Sequence, residues 1–411
     1  MSLSSRPAPR VLAAGLTLAA LAALAGCGGG TTDRALPPSS SGAADAGAPS
    51  PDGASSAPAG TPAFEVNVAR KATDVPVSTR VSVAVTDGTL GDVEVSGSDG
   101  SVLPGETDGA GATWTATDGL EPGVKYTVAA TATGEAGEAS WRSVFTSQDL
   151  TLDQQTFPSV APLDGETVGV GMPVIVTFDL PVSDHAEFER HMSVSSVPAQ
   201  KGSWYWLSDT EAHWRPASYW KAGSKVSVDI DINGVDAGDG LYGQENRDID
   251  FTVGDAHIYR VDAETHQMKV FSNGKLLRTL PITTGKPGFV TRSGVKVIME
   301  KFESRRMNSE TVGIPAGSAE SYDIDDVQYA MRLTNSGEFI HAAPWSVASQ
   351  GVANVSHGCT GMSVDNARWL FDLSRRGDVV EYTGTDRPME FDNGYGDWNK
   401  SFKAYSAGSA L

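Results

Sequence analysis

From Arg80 onward the chain alternates Val, Thr or Tyr with polar residues, and Gly, Asp or Pro breaks the alternation every few positions. The stretches "RVSVAVTDG" (80–88), "ATWTATDG" (112–119) and "KYTVAATAT" (125–133) all carry this pattern. A period of two suits a strand with one buried face; an amphipathic helix would repeat its apolar residues at three and four. Closely spaced turns keep such strands short, which points to antiparallel sandwiches. The series then recurs about a hundred residues later. "TWTATDGLEPGVKYTVAATA" (Thr113 to Ala132) aligns with "AHWRPASYWKAGSKVSVDID" (Ala212 to Asp231), so that Trp114 faces Trp214 and "GVKYTV" faces "GSKVSV".

Each unit ends on a further strand, "SVFTS" in the first and "DFTVG" in the second. A chain of 411 residues exceeds one ordinary domain. Two tandem immunoglobulin-like sandwiches are therefore expected, over 63–148 and 149–254, held by burial alone. The aromatic group "WYWL" (204–207), with Trp214, Tyr219 and Trp220, reads as core and interdomain packing in preference to a carbohydrate surface.

A third, β-rich region spans 255–384. "SNGK" (272–275) marks a hairpin, because Asn-Gly suits a type I′ turn. Its one main helix is expected in "SVDNARWLFDLSRRG", with Ser363 as N-cap, Ala367, Leu370 and Phe371 on one face, and Gly377 as the stop. The expected fold class is thus mostly β. In the tail, 385–411, Tyr395, Trp398, Phe402 and Tyr405 recur at helical spacing and read as a docking face.

The first 62 residues are not fold. Arg6 and Arg10 precede an apolar run, "VLAAGLTLAALAALAG", which is a signal-peptide pattern. The run ends "LAGC" at Cys27, which resembles the lipobox of bacterial lipoproteins, where the cysteine thiol receives a diacylglyceryl group. Residues 1–27 are expected to be a lipoprotein signal peptide and lipobox, with Cys27 lipidated. The chain would then be exported and lipid-anchored to the outer face of the cytoplasmic membrane, facing the wall. Residues 28–62 are Gly, Ala, Ser and Pro with almost no large apolar residue, the composition of a disordered tether. A formal net charge of −20 argues against nucleic acid as a partner, since phosphate backbones are met with Lys and Arg.

The chain has two cysteines. With Cys27 lipidated, Cys359 in "VSHGCTGMS" is the remaining thiol, so no intramolecular disulfide can form and no paired-ligand zinc spacing exists. No metal or cofactor is expected. A free thiol is mostly protonated at neutral pH and needs a base to act as a nucleophile. His341 lies eighteen residues before Cys359 at a strand end, and His357 lies two before it. Either can serve as that base. Gly358 lets the loop bend tightly and leaves amides accessible to a developing oxyanion.

The stretch "HAAPWSVASQGVANVSHGC" resembles the active-site signature of the L,D-transpeptidases, which have a YkuD-type catalytic domain. The whole arrangement resembles the mycobacterial and actinobacterial members: lipobox, tether, two immunoglobulin-like domains, catalytic domain and a "GDWNKSFKAYSAG" tail that folds back on the neighbouring sandwich. The resemblance implies that Cys359 is the acylated nucleophile and His341 the general base, with the Ala342 carbonyl orienting the imidazole. It also implies that Ser356, His357 and Gly358 support the site, that Tyr322 and the Cys359 amide form the oxyanion hole, and that Met307 and Trp345 bind substrate. The implied reaction joins peptidoglycan stem peptides, donor and acceptor, by 3→3 cross-links between meso-diaminopimelate residues, and carbapenem-type inhibitors are expected to acylate Cys359. Two positions depart from the family pattern: Gly361 stands where Asn or Arg is usual, and Arg292 where Pro is usual. Two other readings remain, an L,D-carboxypeptidase with water as acceptor and a non-catalytic wall-binding spacer lipoprotein.

Overall fold

The computed structural model describes residues 60–411. The expected signal peptide and lipobox with Cys27, and the tether up to residue 59, lie outside the described residues. Gly60 already belongs to the first sandwich, where its carbonyl accepts the Ala136 amide at 3.1 Å.

That sandwich stacks the sheet of Ala63–Val66, Ser82–Thr86, Thr113–Ala116 and Gly105–Thr107 on the sheet of Thr89–Gly97, Lys125–Gly134 and Gly137–Thr146. The second sets Val174–Phe178 and Glu211–Pro216, with their neighbours, against Lys225–Ile230 and Arg247–Val253. The repeat seen in sequence has a packing cause. Trp114 and Trp214 are both buried core residues. Each indole lies over a glycine of the paired strand: a Cβ on Gly105 would sit 2.2 Å from Trp114, and one on Gly202 would sit 2.2 Å from Trp214. Only glycine leaves that space, so the tryptophan and its partner recur together. Trp204 and Trp220 join the same buried core, and Tyr205 packs on Phe391 and Tyr405 of the tail. These residues of the aromatic group serve core and interdomain packing, as expected.

The third region holds two sheets. One runs Lys275–Pro281, Gln267–Ser272, His257–Asp262, Val379–Thr383 and Gly294–Val297, with the His257–Asp262 and Val379–Thr383 strands parallel. The other runs Glu300–Asn308, Asp323–Arg332, Phe339–Ala342 and Thr360–Met362, the last pair parallel. Tyr259, Met268, Ile298, Met331, Ile340 and Leu370 belong to the core they share. Asn273 and Gly274 both have positive φ, 49° and 79°, as a type I′ hairpin requires.

The helix spans Val364–Leu373, and the Ser363 hydroxyl caps it by accepting from the Asn366 amide. It ends earlier than its sequence suggested. Ser374 is extended and its hydroxyl donates back to the Leu370 carbonyl at 2.6 Å, so Gly377 (φ 92°) forms the next turn and not the helix stop.

The tail aromatics do not share one helix. A short 3-10 turn, Asp397–Asn399, and a short helix, Phe402–Ser406, are separated by extended Lys400, and Ser401 caps the second. Both pieces pack on the second sandwich. The Trp398 indole donates to the Gly171 carbonyl at 2.8 Å, and the Tyr405 hydroxyl donates to the His213 carbonyl at 3.1 Å. Arg215 lies beneath the rings of Trp398, Phe402 and Tyr405, at 4.6, 5.6 and 4.4 Å.

Candidate active site

The parallel pairing of Phe339–Ala342 with Thr360–Met362 is what brings the two halves of the site together. It sets His341 opposite Gly361, two residues after Cys359. The Phe339–Ala342 strand is buried along its whole length, because it lies in the middle of the sheet and under the helix. His341 therefore reaches a cavity of about 290 Å3 from the protein side and not from solvent. Met307, Tyr322, His341, Trp345, Ser356, His357 and Cys359 all line that cavity, as does Gly361. Ala342 and Gly358 are buried behind it.

The His341 Nδ1 lies 2.8 Å from the Ala342 carbonyl. A carbonyl can only accept, so Nδ1 carries the proton and Nε2 keeps its lone pair. Burial pushes the imidazole below its ordinary 6.5, and the Ala342 carbonyl offsets part of that push. The ring is neutral at neutral pH and able to take a proton. The Cys359 Sγ lies 3.7 Å from the Gly337 carbonyl. Burial pushes its thiol up to about 12; the Phe339 amide and Lys296 work against this, and Glu338 adds to it. The resting pair is thus thiol and neutral imidazole, not an ion pair.

The loop around the thiol is held from within. The Ser356 hydroxyl donates to the Cys359 carbonyl at 2.6 Å and accepts the Gly358 amide at 3.1 Å. Gly358 has φ 122°, a conformation closed to other residues, and its carbonyl accepts from the Thr291 hydroxyl at 2.7 Å. His357 is engaged elsewhere. Its Nε2 lies 2.7 Å from the Glu320 carboxylate, which also binds Lys286 at 2.5 Å, and its ring packs against Phe289 and Tyr322. His357 thus ties the cysteine loop to the segment bearing Glu320 and Tyr322, while the His341 Nε2 keeps its lone pair. Tyr322 keeps its proton, since burial, with a contribution from Cys359, pushes its hydroxyl up to about 12. The Trp345 ring, more than half exposed, sits 5.8 Å from the His341 ring at the cavity mouth.

The glycine at 361 fits its surroundings closely. A Cβ there would lie 2.9 Å from the Ala343 Cβ and 3.1 Å from Thr283 Cγ2. Gly361→Asn should therefore push the His341 strand from its partner, costing about 1–3 kcal/mol in unfolding free energy. Acylation should slow at least about tenfold. Denaturant unfolding and inactivation kinetics measure the two effects.

Sequence reading missed a group of charges behind the thiol. Lys296, Glu338 and Arg292 are all buried, with the Glu338 carboxylate between the two cations. In "GVKV" the alternation marks Lys296 as outward-facing, and Glu338 follows a turn where charges are ordinarily solvated. The unusual Arg292 was the only trace of the group. Glu320 and Lys286 gave no signal either, since exposed charges on loops are common.

Comparison with known proteins matches two family models, a bacterial Ig domain over residues 72–236 and the L,D-transpeptidase catalytic domain over 256–381. L,D-transpeptidase 2 of Mycobacterium tuberculosis is 36% identical over 350 residues, covering 85% of this chain and 85% of that protein. L,D-transpeptidase 5 of the same organism is 31% identical over 372 residues, covering 86% and 78%. A solved LD transpeptidase in complex with imipenem is 39% identical over 56% of this chain and 99% of its own, with a TM-score of 0.49. Identity at this level, sustained across the sandwiches as well as the cysteine-bearing region, means that the chain belongs to the L,D-transpeptidase family.

Proposed function

We propose that the protein forms 3→3 cross-links in peptidoglycan through a thioester on Cys359, with His341 as general base. The observation that carries this reading is the His341–Ala342 contact: it leaves Nε2 unprotonated in the cavity that Cys359 lines. In the first half-reaction the Cys359 sulfur attacks the carbonyl carbon of the meso-diaminopimelate residue in a tetrapeptide stem, and the thiol proton passes to His341 Nε2. The oxyanion is met by the Cys359 amide and the Tyr322 hydroxyl. The C–N bond to D-alanine then breaks, the leaving amine takes the proton from His341, and a thioester remains. In the second half the side-chain amine of another meso-diaminopimelate attacks that thioester and gives up a proton, and Cys359 leaves as a thiol. Water in place of the amine gives the carboxypeptidase product. The protein groups supply base, nucleophile and oxyanion donors, so the scheme calls for no metal or cofactor.

Carbapenems take the donor's place in this scheme and acylate Cys359. Met307 and Trp345, both in the cavity lining, bind the stem. Export, a diacylglyceryl anchor on Cys27 and the 28–62 tether would present the site to the wall, with the two sandwiches as spacers.

Acid quenching during turnover on a tetrapeptide stem should leave protein heavier by the tripeptide acyl group, and hydroxylamine should remove that mass. Because His341 is depressed below 6.5, the acylation rate should hold steady from neutral pH to below that value and fall only once the imidazole protonates. A rate that instead climbs steadily with thiol ionisation toward pH 12 would contradict the base assignment.

A further inference from the structure

Beneath the nucleophile loop lies a group of charges that the scheme above does not use. The Glu338 carboxylate accepts from Lys296 Nζ through one oxygen. Through the other it accepts from the Arg292 guanidinium at 2.9 Å and the Arg292 amide at 3.1 Å. Arg292 also donates to Glu390. Burying charges of this kind costs more than an apolar core of the same shape would, so stability alone is a poor reason for them.

Their position suggests another use. The Glu338 side chain runs below Gly358, whose absent Cβ would lie 3.7 Å from its Cγ. Glu338 is flanked by Gly337, whose carbonyl the Cys359 thiol faces, and by Phe339, whose amide reaches that thiol. Lys296 Nζ sits 3.8 Å over the Tyr382 ring, and the Tyr382 hydroxyl bonds Thr360, next to Cys359, at 2.7 Å. We propose that Lys296 and Glu338 are positioning residues that set the reactivity of Cys359 with opposite signs, Lys296 favouring negative charge on the sulfur and Glu338 opposing it. The inference rests on the nucleophile assignment made above.

The other charged or titratable groups around the thiol are His341, Tyr322, His357 with its partners Glu320 and Lys286, and Tyr382. Lys296 itself is pulled down to about 8 by burial against the pull of Glu338, and Cys359 is among the groups that hold it up. Removing Lys296 leaves Glu338 paired with Arg292, whereas removing the Glu338 charge leaves Arg292 paired with Glu390 but takes from buried Lys296 its carboxylate partner, so Lys296→Met is the cleaner of the two changes.

The rate of iodoacetamide alkylation at pH 7, where Lys296 is still charged, with the modified peptide mapped to Cys359, separates this role from a structural one. Lys296→Met should slow alkylation about tenfold, and Glu338→Gln should speed it. The double variant should return near the wild-type rate, and Lys296→Arg should stay there. Rates that change the same way in both single variants, or do not change, overturn the proposal. Should Glu338→Gln fail to fold, Lys296→Met against Lys296→Arg still decides it. Alkylation needs no peptidoglycan. Opposite rate changes in a protein that never acylates on a stem peptide would refute the transpeptidase scheme and leave the charge effect standing.

Discussion

Replacing Cys359 with alanine will abolish covalent capture of a carbapenem and reduce acyl transfer by about 10^4-fold or more, the scale seen when a nucleophile is removed from a site whose parts act as a unit. The substitution removes one sulfur from a loop that Ser356 and Thr291 hold through backbone groups, so the fold should be unaffected. Intact-protein mass should show one adduct on wild type and none on the variant. An adduct persisting on Cys359→Ala would place the nucleophile elsewhere. His341→Gln should fall nearly as far, because a thiol held near 12 has almost no anion at neutral pH without a base.

Asp397→Asn should cost about 1.5–3 kcal/mol in unfolding free energy, the worth of a buried hydrogen bond to a charged group, because His213 keeps Glu211 at 2.8 Å on its other ring nitrogen. His213 and Asp397 are both buried, 3.0 Å apart, and Tyr405 donates to the same carboxylate oxygen at 3.0 Å. Burial opposes the charged imidazole, but Asp397 and Glu211 outweigh it and raise His213 from 6.5 to about 9. Asp397 is lowered from 3.8: burial opposes its charge, and His213 more than offsets that. The raised histidine contributes stability that is complete below pH 6.5 and is lost as pH climbs through about 9. The lowered carboxylate contributes stability that is complete above pH 3.8 and is lost as pH falls through its folded value. The pair should hold the tail most firmly between pH 3.8 and 6.5. Denaturant midpoints across pH 4–9 measure this, and the pH dependence should flatten in the variant.

Much of the architecture was legible because local patterns answered to local causes. The duplicated tryptophan, the Asn273-Gly274 turn and the Ser363 cap each act within a few residues. The spacing from His341 to Cys359 was legible for a different reason: one parallel strand pair closes the intervening loop, so a short sequence interval carries the geometry. What escaped depends on contacts distant in sequence. Lys296 looks solvent-facing in its strand, yet Glu338, 42 residues on, makes its burial tolerable. His357 looked like an alternative base until Glu320, 37 residues earlier, supplied its partner. The tail aromatics kept helical spacing while Lys400 broke the helix, since docking to Arg215 outweighs local continuity. Gly361 looked like a loss at a site position, but Ala343 and Thr283 fill the space that a side chain would need.

The most direct measurement of the central claim is product analysis after the purified protein is incubated with disaccharide-tetrapeptide muropeptides. The account predicts release of D-alanine together with dimers whose tandem mass spectra place the cross-link between two meso-diaminopimelate residues, both absent with Cys359→Ala. Release of D-alanine without dimers would mean that water is the acceptor, and binding without either product would contradict the enzymatic reading altogether.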